Sequence, residues 1–221
     1  MKMRINKLLD RALIPGNAGE LLFYQRGDEY AIEVVGIRGD LMSTAIHGSE
    51  DALAELAIKK LPDRSKAHVL VGGLGMGFTL AAALKHIGAR GRVTVAELVP
   101  EVVKWNQGPM GERAGNPMLD PRAVVRVIDV AEAIAEAKGV YDAILLDTDN
   151  GPEGLTQRAN DRLYSSYGLQ AAMRALRPQG VLAIWSTDPD GPFTKRLRGA
   201  GFRVEEVKAH AHGTKGTKHH L

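Results

Sequence analysis

The sequence predicts an α/β fold, a Rossmann-like, doubly wound and mostly parallel sheet with a small β-meander in front of it. Three observations carry that prediction. A glycine-rich turn at VLVGGLGMGF (69–78) joins an apolar strand to a helix. After it, strand-like and helix-like segments alternate as far as Val207. Before it, short apolar and polar alternations are separated by turn signals.

Taken in order, residues 1–19 hold a short amphipathic stretch that Pro15, Gly16 and Asn17 break. ELLFYQR (20–26), EYAIEVVG (29–36) and LMSTAIHG (41–48) then read as strands, joined by turns at Gly27-Asp28 and Arg38-Gly39-Asp40. A helix follows. Ser49 is its expected cap, Glu50 and Asp51 suit its positive end, Leu53, Leu56 and Ala57 share one face, and Pro62 closes it. This divides the chain into 1–61, the meander with its linking helix, and 62–221, the larger α/β unit.

The larger unit opens with a buried strand from His68 to Val71 and a helix over 78–87. Strand 93–97, helix 100–106 and a loop rich in glycine and proline to Pro121 come next. Strand 124–128, helix 131–138, strand 141–146, helix 164–176 and strand 180–185 continue the series. Helix 192–201 and strand 202–207 end it, and the histidine-containing remainder reads as a solvated tail.

Composition bounds the function. With 44% hydrophobic and 25% charged residues, the 221-residue chain is an ordinary globular one. No apolar run approaches the roughly 18 residues of a membrane span, and the start lacks the apolar core of a signal peptide, so the expectation is a cytoplasmic protein that engages no membrane. Without cysteine there is no disulfide, thiolate metal site or cysteine nucleophile. The net charge of +3 owes much to Lys208, Lys215 and Lys218, and aromatic residues are only 5%. A nucleic-acid surface wants a basic face with aromatic platforms, so no nucleic-acid partner is expected.

Gly73, Gly75 and Gly77 allow a sharp turn with positive φ and present amide N–H groups at a helix N-terminus. Their G-x-G-x-G spacing departs from the G-x-G-x-x-G that holds a pyrophosphate. An acidic residue ends the next strand: Glu97, about twenty residues on, suits a pair of ribose hydroxyls. The pattern therefore points to a nucleoside rather than a dinucleotide. Ligands of such sheets bind beyond the C-terminal ends of the strands. The polar residues expected there are Glu97, Asp129, Asp147, Ser186 and Asp188, with Asp129 also suited to cap a helix.

VLVGGLGMG, VAELVPEVVKW, DPRAVVRVIDV, YDAILLDTDNGP and LRPQGVLAIW, in that order, resemble the spermidine synthase (polyamine aminopropyltransferase) family, a branch of the class I S-adenosylmethionine methyltransferase fold. The likeness covers about His68 to Gly180. It implies a pocket for decarboxylated S-adenosylmethionine or S-adenosylmethionine as co-substrate, with no metal. Gly73, Gly75 and Gly77 would face its methionine portion, Glu97 its ribose and Asp129 its adenine amino group. Asp147 would be the base, and Asp149 and Glu153 would hold a cationic acceptor. A small-molecule amine or another small acceptor, and a homodimer, are the partners implied.

The departures are specific. Val99 stands where the family has a carboxylate two places after the ribose-binding glutamate, and Ile128-Asp129 replaces its Gly-Asp. The DTDNGP loop (147–152) is shorter than the family's before Gly-Pro. His47-Gly-Ser-Glu50 only loosely echoes its Tyr-His-Glu. Aminopropyl transfer to an amine is the first functional reading, methyl transfer in the same pocket the second, and a non-catalytic nucleoside-binding module the third. A metal-dependent methyltransferase is disfavoured, because Trp185-Ser-Thr-Asp188 lacks an Asp-Asn pair.

Overall fold

The computed structural model describes residues 6–16, 18–146, 162–186, 190–212 and 215–220. Five strands form a parallel sheet: β5 (His68–Gly72), β6 (Arg92–Glu97), β7 (Ala123–Val127), β8 (Tyr141–Leu146) and β9 (Leu176–Ile184), in the order β7-β6-β5-β8-β9. The strand order reverses at β5, which pairs with β6 on one side and β8 on the other. Alternation along the strands decides which layer each residue joins. Val69, Val71, Val93 and Val95 pack into one core with α1 (Gly48–Lys59), α2 (Phe78–His86) and α3 (Pro100–Asn106). Leu70, Ala96, Ile144 and Leu146 face the opposite core, under α5 (Val130–Ala135), α6 (Ser166–Ala175) and α7 (Gly191–Gly199). Helices thus cover both faces, as a parallel sheet joined by βα crossovers requires. The short helix α4 (Pro109–Arg113) and a 3₁₀ turn at Pro117–Leu119 lie inside the loop that leads to β7.

In front stands a four-stranded antiparallel sheet, β1 (Asn6–Leu13), β2 (Glu20–Arg26), β3 (Glu29–Val34) and β4 (Asp40–Ser43). It is docked on α3 and α4. Phe23 stacks on Trp105 with 4.9 Å between ring centroids. Trp105 Nε1–H donates to Asp10 Oδ2 at 2.8 Å, and Arg113 pairs with Glu29 at 2.7 Å. These contacts hold β1 to β4 over the glycine turn.

Several local expectations are corrected. The amphipathic N-terminal stretch is a strand, paired with β2 through a register shift between Leu8 and Asp10. β4 stops at Ser43, because the chain turns there and closes a bridge from Ser43 to Ile46. Ser49 does not cap α1: His47 occupies the cap position and Ser49 lies inside the first turn. β9 begins at Leu176 rather than Gly180. Tyr141 pairs with Leu176 and Ala143 with Val181, so the residues between bulge out, with Gln179 at φ 66°. Residues 202–207 join no ladder, and the histidine-containing segment instead forms a hairpin of β10 (Lys208–His212) and β11 (Lys215–His220).

Candidate functional site

β5 is apolar and buried up to Gly72, where a side chain has no room: a Cβ there would lie 2.9 Å from Val130 Cγ2 and 3.0 Å from Leu146 Cδ2. The chain then turns through Gly73, Gly75 and Gly77 at φ 88°, 52° and 87°. Gly77 is the residue before α2, and its N–H donates to Leu74 O at 2.8 Å. A Cβ on Gly77 would approach Asn106 Oδ1 at 3.0 Å and Pro117 Cγ at 3.3 Å, so both conformation and space select glycine. The buried Asn106 braces the turn by donating from Nδ2 to Gly75 O at 2.8 Å and Val102 O at 3.0 Å.

Glu97 ends β6 and is 7% exposed. Its Oε2 accepts the Leu74 N–H at 2.8 Å and its Oε1 the Val99 N–H at 2.7 Å. One carboxylate therefore ties the glycine turn to the β6–α3 turn. Val99, the departure noted in the sequence, is buried at the start of α3 and serves the site through its backbone.

Asp129 follows β7 and caps α5, its Oδ1 accepting the Ala131 N–H at 2.7 Å. Glycine turn, Glu97 and Asp129 thus line up beyond the C-terminal ends of adjacent strands β5, β6 and β7. Asp147 follows the last residue of β8 in sequence; Asp147, Asp149, Glu153 and Asp188 lie outside the described residues.

Against the glycine turn lies a cleft of about 240 Å³. Asp40, Met42 and Ser43 of β4 wall it on one side, Leu74, Gly75 and Met76 of the turn on the other. Ser49, Glu50, Phe78, Thr79 and Trp185 complete it. Burial pushes the Glu50 carboxyl above the usual carboxylate range, against the hydrogen bond that Ser49 Oγ–H donates to Glu50 Oε2 at 2.6 Å. His47 is placed beside rather than in the cleft: its ring stacks on Phe78 at 4.2 Å and its Nδ1 lies 3.1 Å from Asp51 Oδ2.

In the sequence Glu50 stands as a complement to a helix dipole and as the end of the loose Tyr-His-Glu echo at 47–50, and Asp40 only as part of a turn. Their place in the cleft wall is not marked locally, because the meander that makes them wall residues folds back from elsewhere in the chain. A second cavity, about 870 Å³, opens beside β9 among α1, α7 and residues 201–207. It is the larger, yet it contains none of the glycine-turn residues, Glu97 or Asp129, so its size does not make it the nucleoside site.

No protein-family profile matches the chain. Among curated proteins, it is 28% identical over 180 residues to "Polyamine aminopropyltransferase 1" of Streptomyces coelicolor, an alignment covering 78% of this chain and 33% of that protein. It is 29% identical over 165 residues to the "Probable dual-specificity RNA methyltransferase RlmN" of a Nocardioides species, covering 72% of this chain and 43% of that one. The chain therefore spans about a third to two fifths of the length of these relatives.

Among solved structures, the fold is similar to the spermidine synthase of Thermotoga maritima, with a TM-score of 0.73 and 17% identity over 97% of this chain and 70% of that one. It is also similar to a spermidine synthase in complex with the transition-state analogue AdoDATO, with a TM-score of 0.71 and 18% identity over 98% of this chain and 71% of that one. Within the described residues, no helix is long and apolar enough to cross a membrane. Glycine turn, sheet order and N-terminal β-sheet agree with the fold of these spermidine synthases, a class I methyltransferase-like fold, and the chain is similar in sequence to a polyamine aminopropyltransferase.

Proposed function

We propose that this chain is an aminopropyltransferase that binds decarboxylated S-adenosylmethionine and transfers its aminopropyl group to a small amine. The observation that carries the reading is the Glu97 carboxylate, buried at the end of β6 and hydrogen-bonded to the glycine turn, beside a mostly apolar cleft walled also by Asp40 and Glu50. Glu97 receives the ribose hydroxyls, the glycine turn faces the sulfonium arm, and Asp129 accepts from the adenine amino group.

The reaction asks little of the protein beyond placement and one proton. The acceptor nitrogen attacks the carbon next to the sulfonium, a C–N bond forms, the C–S bond breaks, and the thioether nucleoside leaves. An amine attacks only through a free electron pair, so a carboxylate must orient it and take its proton. Asp147, next in sequence after β8, is assigned that role, with Asp149 and Glu153 assigned to the acceptor's positive charge. In this reading the enzyme is cytoplasmic, and a homodimer is the assembly the resemblance implies.

The test is turnover of decarboxylated S-adenosylmethionine with a panel of diamines and polyamines, in wild type and Asp147→Asn. Product with the wild type and none with the variant, with nucleoside binding retained, supports the reading. No product with any amine overturns it. Methyl transfer from intact S-adenosylmethionine is the second reading, favoured by the similarity to a protein named as a methyltransferase. It predicts a methylated acceptor in the same assay.

A further inference from the structure

The carboxylates around the cleft differ in one respect. Asp40 receives two 2.7 Å contacts from Arg26 Nη1, and Asp51 is paired with His47. Glu50 is held by the Ser49 hydroxyl, and no Lys, Arg or His forms an ion pair with it among the described residues. A half-buried carboxylate without a cation is destabilised by partial desolvation, and a ligand that brings a cation offsets that cost.

The rest of the wall narrows the ligand's chemistry. Met42, Met76 and Trp185 offer an apolar surface suited to methylene groups, and an indole face also attracts a cation. A phosphate or carboxylate would meet repulsion from Glu50, and a neutral apolar ligand would leave its charge buried.

We propose that Glu50 is the specificity residue that receives an alkylammonium group in this cleft. The proposal rests on the function proposed above and deepens it. The ammonium belongs to the aminopropyl arm of the donor or to the incoming amine, and the same carboxylate disfavours a donor that still has its own carboxylate. A short first-turn acid at the helix start, Glu50, is thereby given a ligand rather than only a helix dipole to serve.

Calorimetric titration of wild type and Glu50→Gln tests it with three ligands: 5′-methylthioadenosine, decarboxylated S-adenosylmethionine, and 1,4-diaminobutane added with and without methylthioadenosine. Methylthioadenosine has no ammonium and should bind both proteins alike. Loss of about tenfold or more for decarboxylated S-adenosylmethionine in Glu50→Gln assigns the donor's ammonium to Glu50; the same loss for the diamine assigns the acceptor's. Equal affinities for all ligands in the two proteins, or an equal weakening that includes methylthioadenosine, overturns the proposal. Should the wild type bind the diamine but no adenosyl ligand, the proposed function fails while the diamine comparison still decides Glu50. If the wild type binds none of them, both fail. A thermal melt of each protein separates loss of contact from loss of fold.

Discussion

Replacing Glu97 with glutamine should separate the two jobs assigned to this residue. In the folded chain its two oxygens accept N–H groups from Leu74 and Val99, at 2.8 and 2.7 Å, in a position only 7% exposed. Glutamine has the same shape but a single carbonyl oxygen. One amide N–H therefore keeps a neutral partner in place of a charged one, and the other faces an NH₂ group that cannot accept. Hydrogen bonds to charged groups contribute about 1.5–3 kcal/mol against about 0.5–1.5 for neutral ones, and a stranded buried donor costs about 1–3. The expected destabilisation is about 2–4 kcal/mol, a large part of the roughly 5–15 kcal/mol that holds a domain together. Urea unfolding followed by circular dichroism would read it as a lowered midpoint at unchanged slope. A variant within about 0.5 kcal/mol of wild type would refute the claim that Glu97 fastens the glycine turn. Adenosyl binding should fall as well, and by more than unfolding accounts for, when measured where both proteins are folded.

Three other outcomes follow from the geometry. Gly77→Ala should lower stability by about 1–3 kcal/mol, since φ 87° is unfavourable for alanine and its Cβ meets Asn106 and Pro117, whereas Gly75→Ala, at φ 52° with only the flexible Met42 tip nearby, should cost less; equal melting temperatures would contradict this. Asp129→Ala should lose about 1 kcal/mol of α5 capping, while Asp129→Asn should keep the cap and weaken adenosyl binding; a variant that keeps full affinity would remove Asp129 from the site. The Glu50 carboxyl is raised above its ordinary value of 4.5 mainly by burial, so the folded state holds its proton more tightly than the unfolded one. Stability attributable to Glu50 is then present below the ordinary value and declines as pH rises through the raised one. Glu50→Gln should melt above wild type at pH 7, with the gap closing near pH 4; a constant gap would contradict the burial effect.

The sheet was legible because its signals are local. Val69, Leu70 and Val71 are apolar on consecutive positions, as a strand buried on both faces must be, and the glycines that follow announce a turn with positive φ. The sequence of β8, YDAILL, coincides with its expected limits, since a run of apolar residues is bounded by a glycine loop before and polar residues after. Glu97 and Asp129 stand at the strand ends where the sequence places them, and Asp129 caps α5 as its residue type suggests.

What failed depended on partners distant in sequence. β1 is a strand only because β2 offers it a ladder and Trp105 a hydrogen bond to Asp10, and its own mostly exposed residues resemble a surface helix as much as an edge strand. Residues 202–207 have strand-forming side chains but no partner edge, so propensity produced no ladder. Ser49 looked like a cap because its residue type is right, yet the helix starts at Gly48 with His47 before it. Glu50 enters the cleft wall only through tertiary placement of β4 against the glycine turn.

On the reading above, the pocket is built for a donor without a carboxylate. Calorimetric titration of the purified chain with decarboxylated S-adenosylmethionine and, separately, with S-adenosylmethionine tests it most directly. Tighter binding of the decarboxylated form, by about tenfold or more, is expected, because the half-buried Glu50 in the cleft wall opposes a second negative charge. Equal or tighter binding of intact S-adenosylmethionine would contradict it and make this chain a methyl donor's pocket on an aminopropyltransferase-like frame.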